Sequence, residues 1–239
     1  MTSSPGRQNR QPSKHLAQAI VSQLVADIRA SGWVDGMNLG SEAELIQRFG
    51  VGRNVLREAT RILQQQGIAR MQMGRGGGLV VTSPEATSTA HAIEMYLASR
   101  NVSSQHVLEA KREVELTCVR LAARRTNELW ANRLRKAVAL ERETPSEKVR
   151  EIGPNNVHII IAEMTGNPAL ILFIEALIHL SATYVAQEAA EMRAHNTYAA
   201  HARIAEAVAR GDEEAAVREM AAHLDQVAAE ILGTDPDVK

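Results

Sequence analysis

Residues 35–67, DGMNLGSEAELIQRFGVGRNVLREATRILQQQG, place two helix starts and a tight turn so close together that few folds can hold them. Ser41 followed by Glu44 is a Ser-x-x-Glu capping box, which opens a short helix over about 41–48. Phe49-Gly50-Val51-Gly52 then supplies a turn. Val55, Leu56, Ala59, Ile62 and Leu63 give one apolar stripe that ends at Gly67, so a second helix is predicted over 53–66. Upstream, Leu16, Ile20, Leu24 and Ile28 recur at helical spacing before Gly32 and predict a helix over 13–31. Downstream, IARMQMGRGGGLVVTSP sets two β-prone runs, 68–72 and 79–82, around a glycine-rich tip, the pattern of a hairpin.

Three helices and a hairpin in this order make a winged helix-turn-helix. Its third helix enters the major groove by its N-terminal end. Arg53 and Arg57 stand there, four residues apart on the face away from the apolar stripe, and arginine pairs bidentately with guanine. Asn54 is placed to bond a base or a phosphate. A solvated helix face with Glu58 as partner is the plainer alternative. At the hairpin tip, Gly74, Gly76, Gly77 and Gly78 let backbone lie close to DNA, and Arg75 can enter the minor groove or hold a phosphate. A nucleotide-binding loop lacks its following helix and its Lys-Ser/Thr here.

Charge supports this division. Residues 1–83 hold ten Lys and Arg against five Asp and Glu, whereas the rest hold 17 against 23, within a chain of net charge −1. A nucleic-acid-facing module joined to a different domain fits that asymmetry. The first twelve residues read as a flexible basic arm, too polar for a secretory signal, and no apolar run approaches the roughly 20 residues of a membrane span. Cytoplasm is the expected compartment. The single cysteine, Cys118, lies in an apolar helical stretch and reads as a small core residue.

Beyond Pro84 the sequence turns alanine-rich and helical. Helices are expected near 85–99, 103–126, 127–143, 154–165, 168–190, 193–210 and 212–232, with 144–153 as a connection. The fold class is therefore mainly α: a basic arm (1–12), a winged helix-turn-helix (13–83), an all-α bundle (84–233), and a tail (234–239). His158, His201 and His223 lie in three of those helices, where a lone histidine is ordinarily a surface or satisfied core residue.

The segment GSEAELIQRFGVGRNVLREATRILQQQGIARMQMGRGGGLVV resembles the DNA-binding domain of GntR-family bacterial regulators, whose pattern runs Ser-Glu-x-x-Leu, Gly-Val-x-Arg-x-x-[Val/Leu]-Arg-Glu-Ala, then a glycine-bearing wing. By that resemblance Arg53 and Arg57 match the recognition-helix arginines and Gly74 the wing-tip glycine. Ala43 and Gly52 depart from it, standing where an arginine and a Ser or Thr are usual. VHIIIAEMTGNP and HARIAEAVARGDEEAAVREMAAHL are similar to the FCD effector domain of the FadR-type subfamily. There an aspartate and three histidines surround a cavity and often hold zinc or nickel with a small carboxylate effector. The resemblance implies His158, His201 and His223 as ligands. The aspartate's place is taken by Pro154, which cannot ligate, and Asn155 is offered as a weaker neutral ligand. Lys111 stands at the place of an effector-binding arginine in an Arg-x-x-x-Glu pattern that ends at Glu115. Arg112 is the adjacent alternative, and Arg193 and His195 are further candidates. Few aromatic residues favour a small polar acid over a bulky hydrophobe.

The expectation is a non-enzymatic transcriptional regulator, a repressor released by its effector, binding a palindromic double-stranded DNA operator as a homodimer, with no membrane partner. Two other classes stay open. A three-histidine site can activate water in a metal hydrolase, and the helical domain can serve dimerisation alone.

Overall fold

The computed structural model describes residues 11–74, 76–84, 86–144, 155–183 and 190–234. The chain divides into two compact units, Met1–Glu85 and Ala86–Lys239. The first contains α1 (Gln11–Ala30), α2 (Glu42–Phe49), α3 (Arg53–Gln65), β1 (Ala69–Gln72) and β2 (Gly78–Val81). α1 begins two residues inside the stretch read as an arm. Ala17, Ile20, Val21 and Leu24 pack against Leu56, Ala59 and Leu63 of α3, with Leu45, Ala69 and Leu79 closing the core. Leu16, expected on that face, is half exposed. Eight residues from Leu24 it has drifted off the stripe, and Ala17 takes its place, because 3.6 residues per turn does not divide eight.

The helix starts follow from local chemistry. The Ser41 hydroxyl accepts from the Glu44 amide (3.3 Å) while the Ser41 amide donates to Glu44 Oε2 (2.7 Å). Gly50 ends α2 in the left-handed conformation (φ 62°), a cost that a residue with a Cβ would pay. α3 starts after Gly52, which has no side chain to cap it.

β1 and β2 pair antiparallel, with Ala69 opposite Val81 and Gln72 opposite Gly78. A third segment joins them. The Leu39 amide donates to the Leu79 carbonyl (2.7 Å), the Leu79 amide to Gly40 (2.9 Å), and Asn38 bridges Val80. Glycines at 36 and 40 hid this segment among turn residues. Gly78 sits where the third segment crosses: an added Cβ would lie 2.5 Å from the Gly40 carbonyl oxygen and 2.7 Å from Asn38 Oδ1.

The second unit is helical throughout its described residues: α4 (Ala86–Ser99), α5 (Ser104–Arg124), α6 (Glu128–Glu143), α7 (Val157–Met164), α8 (Pro168–Thr183), α9 (Ala190–Ala209) and α10 (Glu213–Thr234). α5 packs against α7, α8, α9 and α10, and α6 against α7 and α9, so α5 and α6 flank one interior. Val119, Leu134, Val157, Ile160, Ile174, Ile204 and Met220 fill it without exposed surface. Gly211 (φ 69°) turns α9 into α10, where the Asp212 carboxylate accepts from the Ala215 amide (3.0 Å). Outside the core, Arg124 pairs with Glu213 (2.6 Å) and Arg112 with Asp225 (2.7 Å), tying α5 to α10. None of the described helices is long and apolar enough to cross a membrane.

Gly78→Ala is expected to destabilise the winged unit by about 1–3 kcal/mol, the usual cost of overpacking. Chemical denaturation of the purified chain reads this; an unchanged midpoint would mean that the third segment can move aside.

Candidate functional site

The exposed start of α3 is one candidate surface. Leu56, Ala59 and Leu63 turn inward, so Arg53, Asn54 and Arg57 turn outward. Glu58 is engaged by Arg61 (2.9 Å), which removes it as the partner of Arg53 or Arg57. Arg53 has no ion pair among the described residues. Arg57 meets Glu42 only at 3.4 Å, with 70% of its side chain exposed. Asn54 lines a shallow groove of about 410 Å³ with Ser13, Lys14, Glu58 and Arg61. Gly74 is exposed with φ 109°, so backbone conformation and not space demands glycine there. Arg75 lies outside the described residues.

The second candidate is buried inside the helical unit. α7 brings His158, α9 brings His201 and α10 brings His223, each less than a tenth exposed. Their Nε2 atoms converge, with His158 3.0 Å from His201 and His201 3.3 Å from His223. One ligand atom from each can be chosen so that all three lie within 4.8 Å of one another. α7 starts in register because the Asn156 side chain accepts from the His158 amide (2.9 Å) and the Ile159 amide (3.4 Å). Asn155 precedes the helix and is exposed, so it does not join the cluster. Pro154 and the side chains of Arg193 and His195 lie outside the described residues.

Two carboxylates stand behind the histidines. His158 Nδ1 hydrogen-bonds Glu115 Oε2, and His201 Nδ1–H donates to Glu141 Oε2 at 2.7 Å. Lys111 Nζ lies 2.6 Å from the other oxygen of Glu115. The phase of α5 buries Lys111 beside the cluster and puts Arg112 on the outer face with Asp225. Glu141 is not among the residues that the sequence motifs single out. Its signal was present, since Leu134, Val138 and Glu141 continue one buried stripe of α6 and an acid on such a stripe needs a partner.

The electrostatics follow from burial. Burial alone would raise the Glu115 pKa, but His158 and Lys111 outweigh it and hold the carboxyl well below the usual range. Burial lowers the His158 pKa against the pull of Glu115. His223 is pushed down to about 2, first by burial and then by His201 and His158. Neutral imidazoles with Nδ1–H given to a carboxylate present Nε2 as a bare lone pair. At His158 and His201, whose Nδ1 atoms both face carboxylates, the two Nε2 atoms face each other at 3.0 Å. A divalent cation placed between them would be held by both nitrogens. Zinc held tetrahedrally by nitrogens at about 2.0–2.1 Å spaces those nitrogens roughly 3.3 Å apart. The donor set therefore fits a divalent metal of the kind imidazole prefers.

The FCD domain family matches residues 106–226, and the family described as "Bacterial regulatory proteins, gntR family" matches residues 16–78. The "HTH-type transcriptional repressor NanR" of Cronobacter sakazakii (strain ATCC BAA-894) is 29% identical over 90% of this chain and 84% of its own length. The NanR of Enterobacter sp. (strain 638) is also 29% identical, over 90% and 85%. Among solved structures, Streptococcus agalactiae GntR shares the fold with a TM-score of 0.62 at 21% identity, over 89% of this chain and 98% of that one.

Cys118, one turn from Glu115, is buried, and burial followed by the Glu115 charge pushes its thiol up to about 12. It is expected to resist alkylation at pH 8 in the native chain and to react on unfolding. Rapid labelling of the native protein, followed by mass spectrometry, would contradict that placement.

Proposed function

We propose that this chain, which belongs to the GntR family of bacterial regulatory proteins and carries its FCD domain, is a repressor that senses a small carboxylate through a divalent metal held by His158, His201 and His223. DNA-binding regulation, as opposed to enzymatic activity, is common to the family and the relatives. The observation that carries the finer reading is the convergence of three buried Nε2 atoms, two of them turned inward by carboxylates at Nδ1. Imidazole donors suit zinc, nickel, copper and iron, and of these zinc or nickel is the metal proposed here. When bound, the metal supplies an electrophilic position that a carboxylate can complete.

The protein's own groups support an acidic effector. Lys111 is held by Glu115 and Arg112 by Asp225, which leaves the metal as the chief positive partner for an anion entering the cluster. Such an effector would bridge helices α7, α9 and α10 through their histidines. In a homodimer, tightening those helices would bias the spacing of two winged units and hence their fit to two half-sites of a palindromic operator. In each winged unit Arg53 and Arg57 would read base edges, with Asn54, Gly74 and Arg75 against the backbone or minor groove. A regulator of this kind acts in the cytoplasm.

The purified protein is expected to hold near-stoichiometric zinc or nickel by elemental mass spectrometry, and to lose thermal stability in EDTA. Replacing all three histidines with no change in metal content or melting would overturn the metal centre. Arg53→Ala or Arg57→Ala should each cost about 1–3 kcal/mol on the operator and relax base preference, whereas Arg75→Ala should weaken all DNA more evenly. Equal losses on operator and random DNA for all three would misplace the recognition helix.

A further inference from the structure

The two carboxylates behind the histidines are not equivalent. Glu115 is neutralised where it stands, because Lys111 Nζ lies 2.6 Å from its free oxygen. Glu141 is also buried, its side chain 4% exposed, yet among the described residues no Lys or Arg pairs with it. Its recorded partner is the Nδ1–H of His201, at 2.7 Å. A buried carboxylate without a Lys or Arg partner is costly. Positive charge can reach it through the imidazole ring, from a cation on the opposite nitrogen.

We infer that Glu141 is the positioning and charge-compensating residue of the metal centre, acting through His201, while the Glu115–Lys111 pair orients His158 without adding net charge. The inference rests on the metal-centre reading above. Glu141 raises the donor strength of His201, fixes its Nδ1–H tautomer, and supplies from behind the ring the negative charge that none of the three imidazole ligands carries. A divalent cation then leaves the buried cluster with one net positive charge. A ligand carrying one carboxylate matches it, and a dianion overshoots it.

The test is zinc affinity of the full chain, by competition with a chelating dye, in three forms. Glu141→Gln keeps an acceptor for His201 but removes the charge, and should weaken zinc binding by about ten- to hundred-fold, the range for removing such outer partners. The neutral double replacement Glu115→Gln with Lys111→Met keeps an acceptor for His158 and removes a self-cancelling pair, so its loss of zinc affinity should be clearly smaller than that of Glu141→Gln. Circular dichroism of the metal-free forms confirms that each is folded. If Glu141→Gln does not fold, nitrogen NMR of the histidine-labelled, metal-free wild type decides. His201 as the Nδ1–H tautomer supports the inference, and His201 as the Nε2–H tautomer overturns it. Wild-type protein that fails to bind zinc or nickel defeats the metal reading itself. Wild-type binding with equal losses in the single and double variants defeats only the role of Glu141.

Discussion

Burying three imidazoles, two carboxylates and an ammonium in the middle of a helical bundle is the constraint on which the second unit depends. Each of these groups is expensive away from water unless another answers it. Glu115 answers Lys111 and His158, Glu141 answers His201, and the three Nε2 atoms are left facing one another. Five helices contribute, so none of them can slide or rotate by a residue without stranding a polar group. The apolar core around Ile160, Ile204 and Met220 supplies most of the burial, and the polar cluster sets its register.

That register reaches back to short-range chemistry. His158 sits in the first turn of α7, where a shift of one residue would turn it away from the cluster. Asn156 fixes the turn by accepting from two successive amides. The winged unit repeats the device on a smaller scale: the Ser41–Glu44 box and Gly50 fix α2, so Gly52 can start α3 without a side-chain cap. The missing hydroxyl at position 52 is tolerable because Leu56, Ala59 and Leu63 hold α3 by burial.

How much of this was readable in the sequence depended on the range of the interaction. The capping box, the tight turn and the hairpin are local, and the residues that make them are the residues that signal them. The pairing of 36–40 with β2 spans about half the winged unit and is written in glycines that look like a loop, so it was missed. His158, His201 and His223 could be grouped by resemblance, but their convergence is a tertiary fact. Whether Asn155 could ligate turned on where α7 starts, and the choice between Lys111 and Arg112 on the phase of α5. Glu141 was legible in principle as an acid on the buried stripe of α6. Acids on exposed faces are so common that the stripe had to be defined before the exception stood out.

Charge illustrates the same point at the scale of the whole chain. Counting arginines suggests that both units could bind anions, yet the two units use arginine differently. In the helical unit Arg112, Arg124, Arg133, Arg135 and Arg203 each meet a carboxylate within 3 Å, and those contacts join helices. In the winged unit Glu58 is taken up by Arg61 and Asp27 by Arg48 (2.5 Å), so the acids nearest the core are spent on other arginines. Among the described residues Arg53 has no acidic partner and Arg57 meets Glu42 at 3.4 Å, on a helix start whose own N–H groups also favour an anion. Unpaired cations fixed on a well-packed helix lose little freedom when a phosphate or a base edge arrives, whereas a paired arginine must first give up its carboxylate. The surplus positive charge of the first 83 residues is therefore usable at the start of α3, and the nearby acids help by being already occupied.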